Sequence, residues 1–221
     1  MTEREHLGAT LFGAGPSPDL GPRPGDHVVE IEVVCTGNIA RSPLGMAMLD
    51  AEARRRIGPD APVWVRSSGI HGLAGQPAVE QSRSQAAQRG LDLSAHRGSV
   101  LEPELILRAD LVLTMTESQR GKVVRRAPKA HNRVFTVLEL ARLCAALKPI
   151  DEAISPRDRV HLLTRLAYGA RAYVERPAGT EDIADPYGRP DEAYVRVGEQ
   201  LDAAVATIAP QLFGWLPGDP R

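Results

Sequence analysis

Apolar positions along the chain alternate between two rhythms. The run Val28-Val29-Glu30-Ile31-Glu32-Val33-Val34 mixes β-branched residues with two glutamates and reads as a strand that ends at Cys35. After a loop from Cys35 to Ser42, Pro43 stands where a first helical residue belongs, and Leu44, Ala47, Met48 and Ala51 carry the apolar spacing of an amphipathic helix. The same alternation continues with strand-like Val63-Trp64-Val65, a helix over 79–89, strand-like Leu111-Val112-Leu113, a helix over 117–126 and strand-like Val134-Phe135-Thr136-Val137. Strands separated by helices predict an α/β fold with a four-stranded parallel sheet and helices on both faces.

Beyond Leu138 the pattern stays helical to Ala178, in two pieces broken around Lys148-Pro149 and Ser155-Pro156, and then gives way to an acidic, turn-prone segment from Glu181 to Pro190. A last helix is expected over 191–208. The opening segment is rich in Gly and Pro and shows no sustained periodicity, which predicts a flexible N-terminal extension over 1–26, one domain over 27–212 and a short tail over 213–221.

Composition narrows the function classes. A chain of 221 residues that is 43% hydrophobic can bury a full core. The net charge of -1 and pI near 6.6 give no electrostatic reason to expect nucleic acid or a membrane surface as partner, so any anion site must be local. Two cysteines, Cys35 and Cys144, exclude a disulfide framework and suit a reducing cytoplasm. No apolar run approaches the roughly 20 residues that span a bilayer, and Met1 to Gly25 lacks a signal-peptide core, so the chain is expected in the cytoplasm.

The chemistry concentrates at the end of the first strand. In open α/β sheets ligands bind beyond the carboxyl ends of the strands, where a loop entering a helix offers backbone N–H groups and a positive dipole to an anion. The segment Cys35-Thr36-Gly37-Asn38-Ile39-Ala40-Arg41-Ser42 lies there. Gly37 is expected to permit the tight loop, Arg41 to hold two phosphate oxygens, and Cys35 to lie beneath the phosphorus. The helix N-terminus, Arg41 and the Ser42 hydroxyl would all favour negative charge on the sulfur, and a thiolate there can attack phosphorus in line without a metal or cofactor. A lone cysteine at a strand end is ordinarily a small buried hydrophobe. The joint spacing of Cys35, Arg41, Ser42 and Pro43 is what argues otherwise.

The run Val34-Cys35-Thr36-Gly37-Asn38-Ile39-Ala40-Arg41-Ser42-Pro43 closely resembles the phosphate loop of low-molecular-weight protein-tyrosine phosphatases, a family that places this loop on its first strand. Asp185-Pro186-Tyr187 resembles the family's acid loop, Ser67-Ser68-Gly69-Ile70 its Ser-Ala-Gly-Thr turn, and Leu93-Ser94-Ala95-His96-Arg97 its Ser-x-His-Arg segment. The resemblance implies a phosphatase acting on phosphotyrosine in proteins through a cysteinyl-phosphate. Catalysis would rest on Cys35, Arg41 and Asp185, phosphate binding on residues 36 to 42 (Thr36, Gly37, Asn38, Ile39, Ala40, Arg41 and Ser42), and the substrate pocket on Ile39, Leu73 and Tyr187. Asn38 would order the loop through its amide and Ser42 would tune the thiol.

A tyrosine phenolate has a pKa of about 10, so its departure benefits from a positioned acid. Asp185 fills that role by the resemblance. Asp182 is its neighbouring competitor, and an Asp before Pro is otherwise a common turn signal. His71 and His96 are read as structural or exposed, because this chemistry needs no histidine and neither has a metal-ligand pattern. The family often has a second aromatic after Tyr187, where this chain has Gly188, and many relatives carry a second cysteine where it has Ala40. Relatives acting on phosphoarginine tend to place Thr where Ile39 stands, so phosphotyrosine is expected here.

Two other functions fit parts of the pattern: an arsenate reductase using an external low-molecular-weight thiol, since only Cys144 is otherwise available, and a non-catalytic phosphotyrosine-binding module. Asp185-Pro186-Tyr187 favours the phosphatase over the first, and an intact nucleophile and acid favour it over the second. The resemblance suggests a bacterial tyrosine kinase or a cell-envelope regulator as the phosphorylated partner.

Overall fold

A computed structural model describes residues 28–151, 153–179 and 181–219. The segment expected to be a flexible extension, 1–26, lies outside the described residues. Four strands, β1 (Val29–Cys35), β2 (Val63–Gly69), β3 (Leu111–Thr114) and β4 (Val134–Thr136), form one sheet in the order β2-β1-β3-β4, and every pair is parallel. β1 is central, pairing Ile31 with both Val65 and Leu111. The chain leaves β1 for one neighbour and later returns to its other side, which makes the carboxyl end of β1 the switch point where such sheets leave a crevice.

Among the described residues seven α-helices pack around the sheet: α1 (Arg41–Ile57), α2 (Glu80–Ala87), α3 (Pro103–Arg108), α4 (Glu117–Arg126), α5 (Val137–Ala146), α6 (Pro156–Ala170) and α7 (Asp191–Phe213). Period-2 alternation divides β1 between two cores. Val29, Ile31, Val33 and Cys35 pack with Leu44 and Met48 of α1, Leu140 of α5, Leu163 of α6 and Leu201 of α7. Val34 packs on the other face with Ile106 of α3 and Val123 of α4. Both faces are thus covered, as a parallel sheet requires.

Several boundaries differ from the sequence reading for physical reasons. α1 begins at Arg41, two residues before Pro43, which is therefore the third helical residue. The first helical N–H groups have no intrahelical partner, so a proline there removes nothing. α4 spans the expected residues and opens on a capping box, Thr116 with Gln119; α5 opens on another, Thr136 with Glu139, so Val137 begins that helix and does not extend β4. α7 continues past Ile208 through Pro210 to Phe213, because Ile208, Leu212 and Phe213 are buried in the larger core. β2 runs on through Arg66 to Gly69, since Arg66 reaches across to Glu30 at 2.6 Å and stays within the sheet. Two short pieces were not foreseen, α3 and a 3-10 helix over Pro128–Arg133.

The two glutamates of β1 face the smaller core. Glu30 is shared by Arg66 and Arg108, but neither oxygen of Glu32 makes a hydrogen bond. Burial raises the Glu32 carboxyl to about 7 against the opposing pull of Ser68 and of Arg66, 3.8 Å away.

Candidate active site

The loop between β1 and α1 is held by a chain of hydrogen bonds that begins behind it. The Ser99 N–H donates to Asn38 Oδ1 at 2.9 Å, which fixes the amide so that Nδ2 donates to Ser42 Oγ and Ser67 Oγ, each at 2.9 Å. With its oxygen accepting from Asn38, Ser42 has its own hydrogen free for Cys35 Sγ, 3.0 Å away. The Asn38 N–H also points at Sγ, at 3.2 Å. Asn38 and Ser42 are fully buried and take no part in lining the pocket.

The tight turn of this loop falls on Asn38, at φ 58°, and not on Gly37 as the sequence suggested. Asparagine tolerates the left-handed region better than most side chains, and here its amide is anchored on three serines. Glycine is instead demanded behind the loop. A Cβ on Gly69 would lie 2.6 Å from the Thr36 carbonyl oxygen, and one on Gly72 would lie 1.9 Å from that of Ser99. These two contacts let the segment after β2 close against the Cys35 loop, where the His71 and Leu73 N–H groups donate to the carbonyls of Thr36 and Gly37.

Around the sulfur lie donors without acceptors. The N–H groups of Gly37, Ile39 and Ala40 have no partner among the described residues. Arg41, at the start of α1, is buried, and its Nε likewise has no partner. Its Nη1 donates to the Ile183 carbonyl at 2.9 Å, and its Nη2 donates to Asp185 Oδ2 at 2.5 Å. Backbone amides, a helix N-terminus and a buried guanidinium converging on one spot are the elements from which anion sites are built.

Cys35, Arg41, Asp185, Ile39, Leu73 and Tyr187 line one cavity of about 180 Å³, together with Thr36, Gly37, Ala40 and His71. Leu73 and Tyr187 form its exposed rim, 44% and 62% accessible, while Ile39 is buried in the wall. Asp182 lies elsewhere: its Oδ1 accepts the Glu117 N–H at 2.7 Å and so serves the first turn of α4. His96 Nε2 donates to the Asn38 carbonyl at 2.8 Å, and burial lowers its pKa, an effect reinforced by Arg97. That is the structural role expected of it, whereas His71 reaches the pocket wall. Cys144 sits buried in α5, outside the pocket, with its thiol pushed up to about 12 by burial.

Three residues support the loop in roles that the sequence reading did not assign. Ser67 and Ser99 anchor Asn38, and Gln119 Nε2 donates to Thr36 Oγ1 at 3.1 Å while its Oε1 accepts from the N–H groups of Met115 and Thr116. The Ser67-Ser68-Gly69 turn and the Thr116–Gln119 capping pattern were the only signals that could have pointed to them.

A doubly covered parallel sheet with a cysteine-and-arginine anion loop at its switch point defines a recognisable class of protein. The model of the low molecular weight phosphotyrosine protein phosphatase family matches residues 30–151, and the chain belongs to that family. A relative from Ralstonia nicotianae, named "Probable low molecular weight protein-tyrosine-phosphatase EpsP", is 39% identical over 146 residues, which cover 66% of this chain and 94% of the relative. A protein-arginine-phosphatase of Geobacillus stearothermophilus is 28% identical over 180 residues, 81% of this chain and 93% of its own length. Among solved structures, the tyrosine phosphatase Wzb of Escherichia coli K30 in complex with sulphate superimposes with a TM-score of 0.58 at 28% identity, covering 84% of this chain and 99% of that one.

Among the described residues no helix is long and apolar enough to cross a membrane.

Proposed function

We propose that this protein hydrolyses phosphotyrosine in proteins, with Cys35 as nucleophile, Arg41 as phosphate clamp and Asp185 as general acid. The phosphoryl group would be cradled by the loop amides and Arg41 while Cys35 Sγ attacks phosphorus in line. The S–P bond forms as the P–O bond to the tyrosyl oxygen breaks, and Asp185 gives that oxygen its proton. Deprotonated Asp185 then takes a proton from the water that attacks the cysteinyl-phosphate, which releases inorganic phosphate and returns the thiolate.

The observation that carries this reading is the set of unpartnered donors, Arg41 Nε with the Gly37, Ile39 and Ala40 amides, gathered around a sulfur that accepts two hydrogen bonds. Equatorial charge developing on phosphorus is what such a ring of preorganised donors stabilises. The apolar wall of Ile39, Leu73 and Tyr187 favours a phenyl ring over the guanidinium of phosphoarginine, although one relative that covers most of the chain is an arginine phosphatase. With Cys144 buried outside the pocket, an arsenate cycle would need an external thiol. The partner in this reading is a phosphotyrosine protein, of the kind found on a bacterial tyrosine kinase or an envelope regulator.

The test is a panel of substrates, p-nitrophenyl phosphate, a phosphotyrosine peptide and a phosphoarginine peptide, beside thiol-coupled arsenate reduction, for the wild type and Cys35→Ser. Turnover of the phosphotyrosine peptide that vanishes in Cys35→Ser is the expected result. Preference for phosphoarginine, or arsenate reduction without phosphatase turnover, would overturn the substrate assignment.

A further inference from the structure

A second polar cleft, of about 500 Å³, opens at the end of the sheet opposite Cys35. Asp110 immediately precedes β3 and Arg133 immediately precedes β4, so the cleft lies at the amino ends of the strands, while the active-site loop lies at their carboxyl ends. One wall is a face of α6. Arg157, His161, Arg165 and Tyr168 recur at three- and four-residue steps, and Val160, Leu163 and Ala167 of the same helix are buried in the core. Arg108, from the end of α3, and Arg133 complete the basic lining.

The charges in this cleft do not cancel. Among the described residues Asp110 is the only carboxylate lining it, and it is already engaged: Oδ2 accepts the Glu30 N–H at 2.9 Å, while Oδ1 lies 2.7 Å from His161 Nε2 and 3.3 Å from the Arg157 guanidinium. Arg108 turns to Glu30 at 3.2 Å. Arg133 is held by neutral groups, its Nε donating to the Ala109 carbonyl at 2.8 Å and its Nη2 to that of Leu107 at 3.0 Å. These bonds orient the guanidinium without neutralising it, and its half-buried position lowers its pKa, with Asp110 opposing. Arg165 has no hydrogen bond or ion pair among the described residues.

Two guanidiniums with no carboxylate partner among the described residues, one of them fixed in direction, face a cleft within the usual size range of small-ligand sites, about 300–1,000 Å³. Planar guanidinium is the side chain best suited to a phosphate dianion. Tyr168 adds an aromatic wall, supported by Arg171, whose guanidinium lies 5.3 Å from its ring. We infer that this cleft binds a small organic phosphate, with Arg133 and Arg165 as its phosphate ligands and Tyr168 against its organic body, independently of the Cys35 loop.

The experiment is an amide NMR titration of the full chain at physiological salt with adenosine monophosphate, adenosine and, separately, inorganic phosphate. Adenosine monophosphate should give saturable shifts in 107–109, 132–133 and 161–168, and adenosine should leave those amides unmoved. Arg165→Gln, which breaks no hydrogen bond or ion pair among the described residues, should weaken that response several-fold. Arg133→Gln/Arg165→Gln should weaken it at least tenfold while the 35–42 amides still respond to inorganic phosphate, which reports an intact fold. Silence at the cleft, equal shifts with adenosine, or cleft shifts that survive in the double variant would overturn the assignment.

Discussion

Arg41 Nη2 donates to Asp185 Oδ2 at 2.5 Å, joining the proposed phosphate clamp to the proposed acid across the mouth of the pocket. The arginine is 3% exposed and the aspartate 47%, so the carboxylate is the partner free to move. In this arrangement Asp185 occupies a donor that a bound phosphoryl group would claim. Substrate must then displace the carboxylate from Arg41, and the displacement delivers Asp185 toward the leaving oxygen.

Asp185→Asn therefore separates two effects. Loss of the acid should lower kcat about 10²–10³-fold for phenyl phosphate, within the usual worth of general acid catalysis. The loss should be smaller for p-nitrophenyl phosphate, whose leaving group needs less protonation. Because the variant also removes the charge competing for Arg41, affinity for the oxyanion vanadate should stay equal or improve. Equal kcat losses for both esters would argue against an acid at this position.

Asn38 should matter more than its absence from the pocket suggests. Asn38→Ala leaves the Ser99 N–H without its acceptor and frees Ser42 to turn away from Cys35, at a cost of about 2–4 kcal/mol of stability with a large fall in kcat. Asn38→Gly relieves the backbone at φ 58° but restores no hydrogen bond. It should therefore recover about 1 kcal/mol of stability and little activity. Chemical denaturation beside steady-state kinetics distinguishes the two contributions; full activity in Asn38→Gly would mean that only the backbone turn counts.

Glu32 gives the fold a pH signature. Its carboxyl titrates near 7 in the folded protein and near 4.5 when unfolded, so between those values the native state holds the extra proton. Stability from this group is accordingly greatest below pH 4.5, falls as pH rises through 7, and the full penalty above 7 is on the order of 3 kcal/mol. Urea midpoints at pH 5 and pH 8 should show that decline in the wild type and a much flatter profile in Glu32→Gln. Parallel profiles would place the proton elsewhere.

Much of this was legible in the residues and some was not. The helix read over 117–126 matches α4, whose start the structure shows fixed by the Thr116–Gln119 capping box, and the spacing of Cys35, Arg41, Ser42 and Pro43 pointed to the loop. α3 was missed because six residues opening on a proline carry too short a period to register. Gly37 was credited with the turn that Asn38 makes, since glycine is the usual tenant of positive φ and the serines that anchor Asn38 lie 29 and 61 residues away. The bond from Gln119 to Thr36 stayed hidden for the same reason: it spans 83 residues, and the local capping pattern marks only the start of α4.

Oxidation should reflect the residues beside the nucleophile. Ala40 offers no resolving thiol in the loop, and Cys144 is buried in α5 outside the pocket. Peroxide should carry Cys35 past sulfenic acid to the sulfinic form unless a small thiol intercepts it. Mass spectrometry after prolonged peroxide should find sulfinic acid on Cys35 and activity that thiol cannot restore. Full recovery with no small-thiol adduct would require a protective partner within the chain.

The central claim is that phosphoryl transfer passes through Cys35, and the most direct measurement is phosphorus NMR on Asp185→Asn acid-quenched during turnover of p-nitrophenyl phosphate. Without the carboxylate to activate water the intermediate should accumulate, giving a thiophosphate resonance that peptide mapping assigns to Cys35 and that is absent from Cys35→Ser. Burst release of p-nitrophenol with no phosphorus on Cys35, or with phosphorus on another residue, would contradict it.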